Sequence, residues 1–109
     1  MENIQKKLID LVKSHDLENL NILLKNNKEI DLNFTDNKGR NLLHYAASTI
    51  SEKGLPLIQV LLEKKIDPCA LNENFESPMD IAKNINNIPG LSLMKYFVSK
   101  QNQELQSYL

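Results

Sequence analysis

Apolar residues recur along this chain at intervals of three and four, the spacing that places side chains on one face of an α-helix. The first two such segments span residues 4–13 and 17–24. Four more segments begin near residues 41, 56, 77 and 91. No stretch of useful length alternates apolar and polar residues as a half-buried strand would. The pattern therefore predicts six helices and an all-α fold.

Polar and turn-forming residues separate these segments where helices are expected to start or end. Asp16 suits the N-cap of the second helix, and Asn26-Asn27 favours the end of that helix. Pro56 and Pro78 suit the first turns of the fourth and fifth helices, where no backbone N–H donor is needed. We expect the polar tail, residues 101–109, to fray or to cap the end of the fold.

The chain also repeats itself at an offset of 36 residues. The segment 36–47 returns as 72–83, and the lead-in Ile30-Asp31 returns as Ile66-Asp67. Self-similarity at such a spacing is typical of stacked repeats, in which each unit buries its apolar face against its neighbours. A short stack of this kind exposes a long flank, a shape that favours binding over catalysis.

The repeated unit resembles the ankyrin repeat, a ~33-residue β-turn plus two helices with the core Thr-Pro-Leu-His-x-Ala. The middle unit matches the family's turn, core and closing positions at Asp36, Gly39, Leu43, His44, Ala46, Ala47, Leu61, Leu62 and Asp67. The last unit matches at Pro78, Met79, Asp80 and Ala82. The first unit lacks the turn, as N-terminal caps of the family do, and keeps Leu23-Leu24 and Asp31-Leu32-Asn33.

The resemblance implies a single ankyrin-repeat solenoid of three helix-turn-helix pairs with short β-turn connections, spanning residues 1–109. Its first unit, an N-terminal cap, would cover residues 1–33, and the second unit residues 34–69. The third unit would cover residues 70–100, with the polar tail after it.

Four departures from the family pattern carry expectations of their own. Asn41-Leu42 replaces Thr-Pro, which we expect to weaken the start of the third helix. The nine residues between Ala47 and Leu57 predict a longer third helix or a longer loop, and residues 84–90 predict a similar insertion in the last unit.

The fourth departure is Phe75, which stands at the glycine position of the second turn. A Phe with positive φ is strained. We therefore expect either that Asn74 takes the left-handed conformation or that this turn is remodelled.

Composition narrows the class of protein. The 13 basic and 14 acidic residues give a net charge of −1, which provides no general attraction to nucleic acid or to an anionic membrane. No apolar run approaches the ~18–20 residues that span a bilayer, and the N-terminus lacks a secretory signal pattern. The single cysteine, Cys69, suits a reducing compartment. We expect a monomer that is cytoplasmic where it is synthesised, and later export through other signals stays compatible with the sequence.

Few residues suggest catalysis or metal binding. The resemblance makes His44 a structural residue that hydrogen-bonds a neighbouring turn, and we favour that role over general-base catalysis. We interpret His15 as an exposed loop residue and Cys69 as a small, partly buried linker residue instead of a nucleophile. The sequence shows no metal-ligand spacing and no glycine-rich phosphate loop, so we expect no enzyme, no cofactor and no metal.

The resemblance implies that partners bind the turn tips and the exposed face of the first helix in each pair. These positions are Asn37, Lys38, Arg40, Ser48, Thr49, Glu73, Asn74, Phe75, Glu76, Asn84 and Ile85. Phe75 is the expected anchor, with the alternative that its ring folds back over the end of the core. The first tip is basic and the second acidic, which predicts a specific protein partner with matched charges.

The leading hypothesis is therefore a non-enzymatic module that binds a partner protein through its turn tips and concave helix face. One alternative is a small inhibitor or immunity-type protein that covers an enzyme or toxin, with residues 49–53 and 84–89 as plugs. Another alternative is a host-directed secreted effector that uses the same binding chemistry.

Overall fold

A computed structural model describes the backbone of residues 3–106 and the side chains through residue 104. Within this range the chain forms six helices and no strand, so the all-α prediction is confirmed. The helices are α1 (Ile4–Lys13), α2 (Leu17–Asn26), α3 (Leu42–Ala47), α4 (Gly54–Glu63), α5 (Pro78–Asn84) and α6 (Ile88–Gln106). None of the described helices is both long enough and apolar enough to cross a membrane.

The predicted helix boundaries at Asp16, Asn27 and Ser77-Pro78 are confirmed. The Asp16 carboxylate caps α2 by accepting the Asn19 backbone N–H at 3.2 Å. Asn27 is the C-cap of α2, and Ser77 is the N-cap of α5 with Pro78 in the first turn. These ends use side chains to satisfy backbone groups that a helix leaves without partners.

The helices pack in successive pairs, α1 with α2, α3 with α4 and α5 with α6. The first helices of the pairs also pack in a row, since α3 contacts both α1 and α5, and α4 packs against α6. α2 packs chiefly against α1. One apolar core runs through all three pairs, with Leu8, Leu20, Leu43, Leu57, Leu61 and Met94 fully buried. The described part of the protein measures 45 × 33 × 27 Å.

The connections between paired helices correct one expectation. Residues 48–53 join α3 to α4, so the predicted insertion there is a longer loop after a short helix. Only residues 85–87 join α5 to α6, as many as the residues 14–16 that join α1 to α2, so the predicted insertion in the last unit is wrong. His15 (φ 57°) and Asn86 (φ 63°) both close their helices in the left-handed conformation, which ends a helix within one turn.

The polar segment after Lys100 also differs from expectation. Residues 101–106 continue α6 as a helix, where fraying or a cap was predicted. Polar residues with good helix propensity, mainly Gln and Glu, extend a helix that is already nucleated by its buried part. Residues 107–109 of the predicted tail lie outside the described range.

The start of α3 carries more contacts than its sequence suggested. Asn41 forms a capping box with His44, in which its side-chain oxygen accepts the His44 backbone N–H at 3.0 Å. The Asn41 side-chain amide also donates to the Asp67 carbonyl at 3.0 Å. Leu42 is fully buried. The Asn41-Leu42 replacement therefore anchors the start of α3 with a different set of contacts.

Candidate functional site

The two predicted turns, turn 1 (residues 36–40) and turn 2 (residues 72–76), have the same hydrogen bonds. In each turn, the backbone N–H of the first residue donates to the carbonyl of the fifth residue at 2.9 Å. The backbone N–H of the fourth residue donates to the carbonyl of the first residue at 3.0 Å. The side chain of the first residue, Asp36 or Asn72, accepts the N–H groups of the third and fifth residues through its Oδ1 atom. The repeat seen in the sequence is thus a repeat of backbone geometry at the same offset.

Turn 2 packs against turn 1 and against α3. The Glu73 N–H donates to the Lys38 carbonyl at 2.9 Å. His44, which is buried, lies 2.8 Å from the Glu76 carbonyl through its Nε2 atom, and its Nδ1 accepts the Asn41 N–H at 3.0 Å. With Nδ1 accepting from an N–H group, these partners fit a ring that carries its proton on Nε2 and donates it to the Glu76 carbonyl. The predicted hydrogen bond from His44 to a neighbouring turn is confirmed.

Phe75 overturns the expectation for turn 2. Phe75 itself has φ 60°, and the turn keeps the hydrogen bonds of turn 1, so neither Asn74 nor a remodelled turn absorbs the strain. The Phe75 side chain is 80% exposed, so the alternative in which its ring covers the end of the core is wrong. Gly39, the equivalent residue in turn 1, has φ 75°.

The packing between the turns explains this difference. A Cβ at Gly39 would lie 3.1 Å from the Glu73 nitrogen and 3.2 Å from the Asn72 Cα. A side chain at residue 39 would therefore crowd the backbone of turn 2. Residue 75 carries its side chain into solvent, where no third turn packs within the described residues.

Arg40, part of the predicted basic tip, lies in a cluster of side chains around Tyr45. Asp36 Oδ2 accepts a hydrogen bond from the Tyr45 hydroxyl and another from Arg40 Nε at 2.8 Å. The Arg40 guanidinium lies 4.8 Å from the centre of the Tyr45 ring, and Lys13 Nζ lies 5.9 Å from it. Intramolecular contacts with Asp36 and Tyr45 therefore hold the Arg40 side chain. Lys38 is the exposed cation of turn 1.

Electrostatics within this cluster favour the ionised carboxylate. Burial acts to raise the pKa of Asp36, but hydrogen bonds from Tyr45, from Arg40 and from the Lys38 N–H outweigh it and lower the pKa to about 2. Burial and the hydrogen bond to Asp36 raise the pKa of the Tyr45 hydroxyl. Sequence reasoning missed Tyr45; the available signal was an aromatic residue directly after the His44 that anchors the turn.

The other predicted tip residues fall into exposed and half-buried groups. Asn37, Lys38, Glu73 and Asn74 are exposed beside Phe75, and Glu76 is half-buried. The second tip is thus acidic, as predicted, with an aromatic ring at its apex. The contrast between the two tips is smaller than predicted because Asp36 balances the charge of Arg40.

The predicted helix-face residues occupy the ends of α3 and α5. The exposed Ser48 hydroxyl donates to the Tyr45 carbonyl at 2.7 Å, and Thr49 is half-buried in the following loop. The exposed Asn84 donates to the Glu76 carboxylate at 3.4 Å, which joins the end of α5 to turn 2. Ile85 is half-buried in the connection after α5.

Cys69 is exposed, which corrects the expectation of a partly buried residue. Its backbone N–H donates to the Asp67 carboxylate at 2.8 Å. Local desolvation of the sulfur, followed by the carboxylates of Asp67 and Asp80, raises the pKa of the thiol and so disfavours the thiolate. Among the described residues no three His, Cys, Asp or Glu side chains gather into a group that could hold a metal ion.

No protein-family model matches the chain, and no match is found among curated proteins.

Proposed function

We propose that this protein is a non-enzymatic interaction module of the ankyrin-repeat type, which binds a partner protein through its turn tips and adjoining helix face. The observation that carries the proposal is Phe75, an aromatic side chain that is 80% exposed on a left-handed residue.

Phe75 has two features that folding alone does not favour. A left-handed conformation costs a residue with a Cβ about 1–2 kcal/mol relative to the right-handed one. An exposed aromatic ring also gains no burial energy. Glycine at this position would relieve the strain, as it does at Gly39. His15, Lys65 and Asn86 share this conformation where helices end, so the combination of the conformation with an exposed aromatic ring is what supports a binding role for Phe75.

The turn also prepares the ring for binding. Turn 2 is held by its internal hydrogen bonds and by the contacts from Lys38 and His44. A side chain displayed on an ordered turn loses little additional freedom on association, which favours affinity. Aromatic residues are enriched among those that supply most of the binding energy in interfaces.

The ankyrin-type assignment draws support from the arrangement of the whole chain. The two turns share their hydrogen bonds at an offset of 36 residues, and each precedes a short helix that starts with a capping box. The helices pack as successive pairs with their first helices in a row.

Quantitative affinity capture from the native cell lysate tests the proposal with three proteins. These are the wild type, Phe75→Gly, and the control Tyr96→Ala, which removes an aromatic side chain that is 59% exposed on α6. We expect a partner that the wild type and Tyr96→Ala retain and that Phe75→Gly loses by about tenfold or more. Phe75→Gly relieves backbone strain, so its loss of binding would not result from misfolding.

Equal retention by all three proteins would contradict the assignment of the site to turn 2. Loss by Phe75→Gly and Tyr96→Ala alike would indicate non-specific apolar capture and would also count against the proposal.

One observation favours the alternative that this protein is an inhibitor. The loop 48–53 carries Ile50, whose side chain is 61% exposed. The second predicted plug, residues 84–89, consists of the end of α5, a three-residue connection and the start of α6. An inhibitor would abolish the activity of the captured partner, and Ile50→Asp would restore that activity, whereas an adaptor would leave it unchanged.

A further inference from the structure

A cleft of about 400 Å³ lies beside the C-terminal ends of α2 and α4, on a surface that includes none of the proposed tip residues. Its volume falls within the range of ligand pockets. Three lysines line it, Lys25 and Lys28 at the end of α2 and Lys64 at the end of α4. Its apolar wall consists of Leu24, Ile30 and Leu32.

The three lysines have no counter-charge in the cleft. No acidic side chain lines it. Among the described residues the ion pair joins Arg40 to Asp36, which lie outside the cleft. Glu29 lines a neighbouring hollow that shares Lys25 and Lys28, so the local charge stays positive when it is included. A cleft with charges of one sign and an apolar wall concentrates the electric field and attracts the opposite charge.

The main opposing effect comes from the negative ends of the α2 and α4 dipoles, each equivalent to about half a charge. Asn27 reduces this effect, because its side-chain amide donates to the Leu23 carbonyl and its backbone N–H to the Leu24 carbonyl. The two helix ends together amount to about one negative charge, partly satisfied, which is smaller than three lysine charges. The cleft therefore favours an anionic ligand.

The apolar wall narrows the class of ligand. Ile30 and Leu32 are half-buried and pack on the core, so they form a firm surface at the side of the cleft. A small inorganic anion would leave these apolar side chains exposed to water. A ligand with an apolar group flanked by carboxylates would cover it and also pair with the lysines.

We propose that this cleft binds an acidic segment of a second protein, with one aromatic or aliphatic side chain against Leu24, Ile30 and Leu32. Carboxylates on either side of that side chain lie near Lys25, Lys28 and Lys64. This site is separate from the Phe75 surface and would give the protein two binding faces, as an adaptor requires. A segment of protein suits the site better than nucleic acid, because three lysines around an apolar wall form no extended basic track along a phosphate backbone.

Fluorescence anisotropy tests the proposal with a labelled peptide, Asp-Glu-Phe-Glu-Asp, and its uncharged analogue, Asn-Gln-Phe-Gln-Asn. The cleft variant is Lys28→Glu with Lys64→Glu. The matched control is Lys6→Glu with Lys95→Glu, which makes the same change in net charge at exposed positions on α1 and α6. Circular dichroism checks that both double variants fold.

We expect saturable binding of the acidic peptide by the wild type, about tenfold or more weaker binding by the cleft variant, and wild-type binding by the control. The affinity is expected to fall as the salt concentration rises and to be much lower for the uncharged peptide. Phe75→Gly is expected to bind the peptide like the wild type, which separates this proposal from the proposed role of turn 2.

Three results would overturn the proposal. The first is no saturable binding at peptide concentrations up to about 1 mM, an affinity too weak for a specific site. The second is equal weakening in the cleft and control variants, which would indicate attraction to net charge alone. The third is equally tight binding of a short oligothymidylate that the peptide displaces, which would make the cleft a general anion surface.

Discussion

Residues 39 and 75 occupy the same position in two turns with the same hydrogen bonds, yet their surroundings differ. Turn 2 lies directly over Gly39, where a Cβ would approach backbone atoms within 3.1 Å. The Phe75 side chain is free in solvent. The same left-handed backbone therefore favours glycine in turn 1 for two reasons, conformation and space. In turn 2 it favours glycine for conformation alone, and the position accommodates Phe75.

Phe75→Gly is expected to raise the free energy of unfolding by about 1 kcal/mol. The change removes about 1–2 kcal/mol of strain in the left-handed backbone. The greater conformational freedom of glycine in the unfolded chain offsets part of this gain. Urea unfolding followed by circular dichroism measures the change. Gly39→Ala is the paired comparison and should lower stability, because its Cβ crowds turn 2. A loss of stability in Phe75→Gly would show that the ring contributes contacts to the folded state.

Asp36 is expected to make the stability of the protein depend on pH below about 4. Its pKa falls from an ordinary 3.8 to about 2 on folding, so its contribution is complete above the unfolded value and is lost as the pH falls through the folded value. Asp36→Asn should lower stability near neutral pH by about 1–3 kcal/mol, because the bonds from Tyr45 and Arg40 lose their charged acceptor. Urea unfolding at several pH values from 7 to about 2 measures both effects.

In this series the difference between wild type and Asp36→Asn should shrink between about pH 4 and pH 2. A difference that stays constant across that window would mean that the carboxylate charge of Asp36 does not stabilise the fold. Asp10→Asn, at an exposed site on α1, is the control.

At the scale of single elements, α3 and α5 show how different residues produce the same helix start. Asn41 and His44 form the capping box of α3, and Ser77 and Asp80 form that of α5. Both pairs satisfy the first N–H groups of a short helix, which has little stability of its own. The Asn41–His44 pair also connects α3 to turn 2, because the His44 ring lies within hydrogen-bond distance of the Glu76 carbonyl.

The double change Asn41→Thr with Leu42→Pro would give α3 the Thr-Pro start of the ankyrin repeat that the sequence resembles. From the sequence alone we would expect it to raise the melting temperature. The structure reverses that expectation, because Leu42 is fully buried and the Asn41 amide bonds the Asp67 carbonyl. We expect a loss of about 1–3 kcal/mol, seen as a lower melting temperature. Asn41→Thr alone keeps a capping oxygen and should cost less; a rise in the double variant would restore the original expectation.

At the scale of the whole molecule, the three helix pairs are not equally supported. α3 and α4 of the middle pair contact helices of their own and neighbouring pairs, whereas α2 packs chiefly against α1. Stacked repeats gain stability from their neighbours, and a unit with fewer neighbours opens more easily. The first pair should therefore be the least stable part of the described fold.

Amide hydrogen exchange should show this order. We expect the Leu20 and Leu24 amides of α2 to exchange sooner than the Leu61 and Leu62 amides of α4, although all four side chains are buried. Exchange followed by NMR or mass spectrometry measures the difference. Equal protection in α2 and α4 would show that the stack opens only as a single unit.

The sequence alone determined the local structure. Periodic apolar residues predicted the six helices, capping residues predicted the ends at Asp16, Asn27 and Ser77-Pro78, and the 36-residue offset predicted two equivalent turns. The start of α6 at Ile88 and its extension to Gln106 were not predicted. The helices and their caps depend on residues within a few positions of one another, so local rules of propensity and capping predict them. The contact between His44 and turn 2 was foreseen only through resemblance to a known repeat, because its partners lie 32 residues apart.

Only the tertiary structure decided how these elements meet. It showed that Arg40 is held by Asp36 and Tyr45, that the ring of Phe75 is exposed, and that Lys64 joins the lysines of α2 around one cleft. Each of these facts depends on which residues lie nearby in space after the helices pack. Exposure, charge pairing and clefts are properties of that packing, and the spacing of residues along a chain does not fix them.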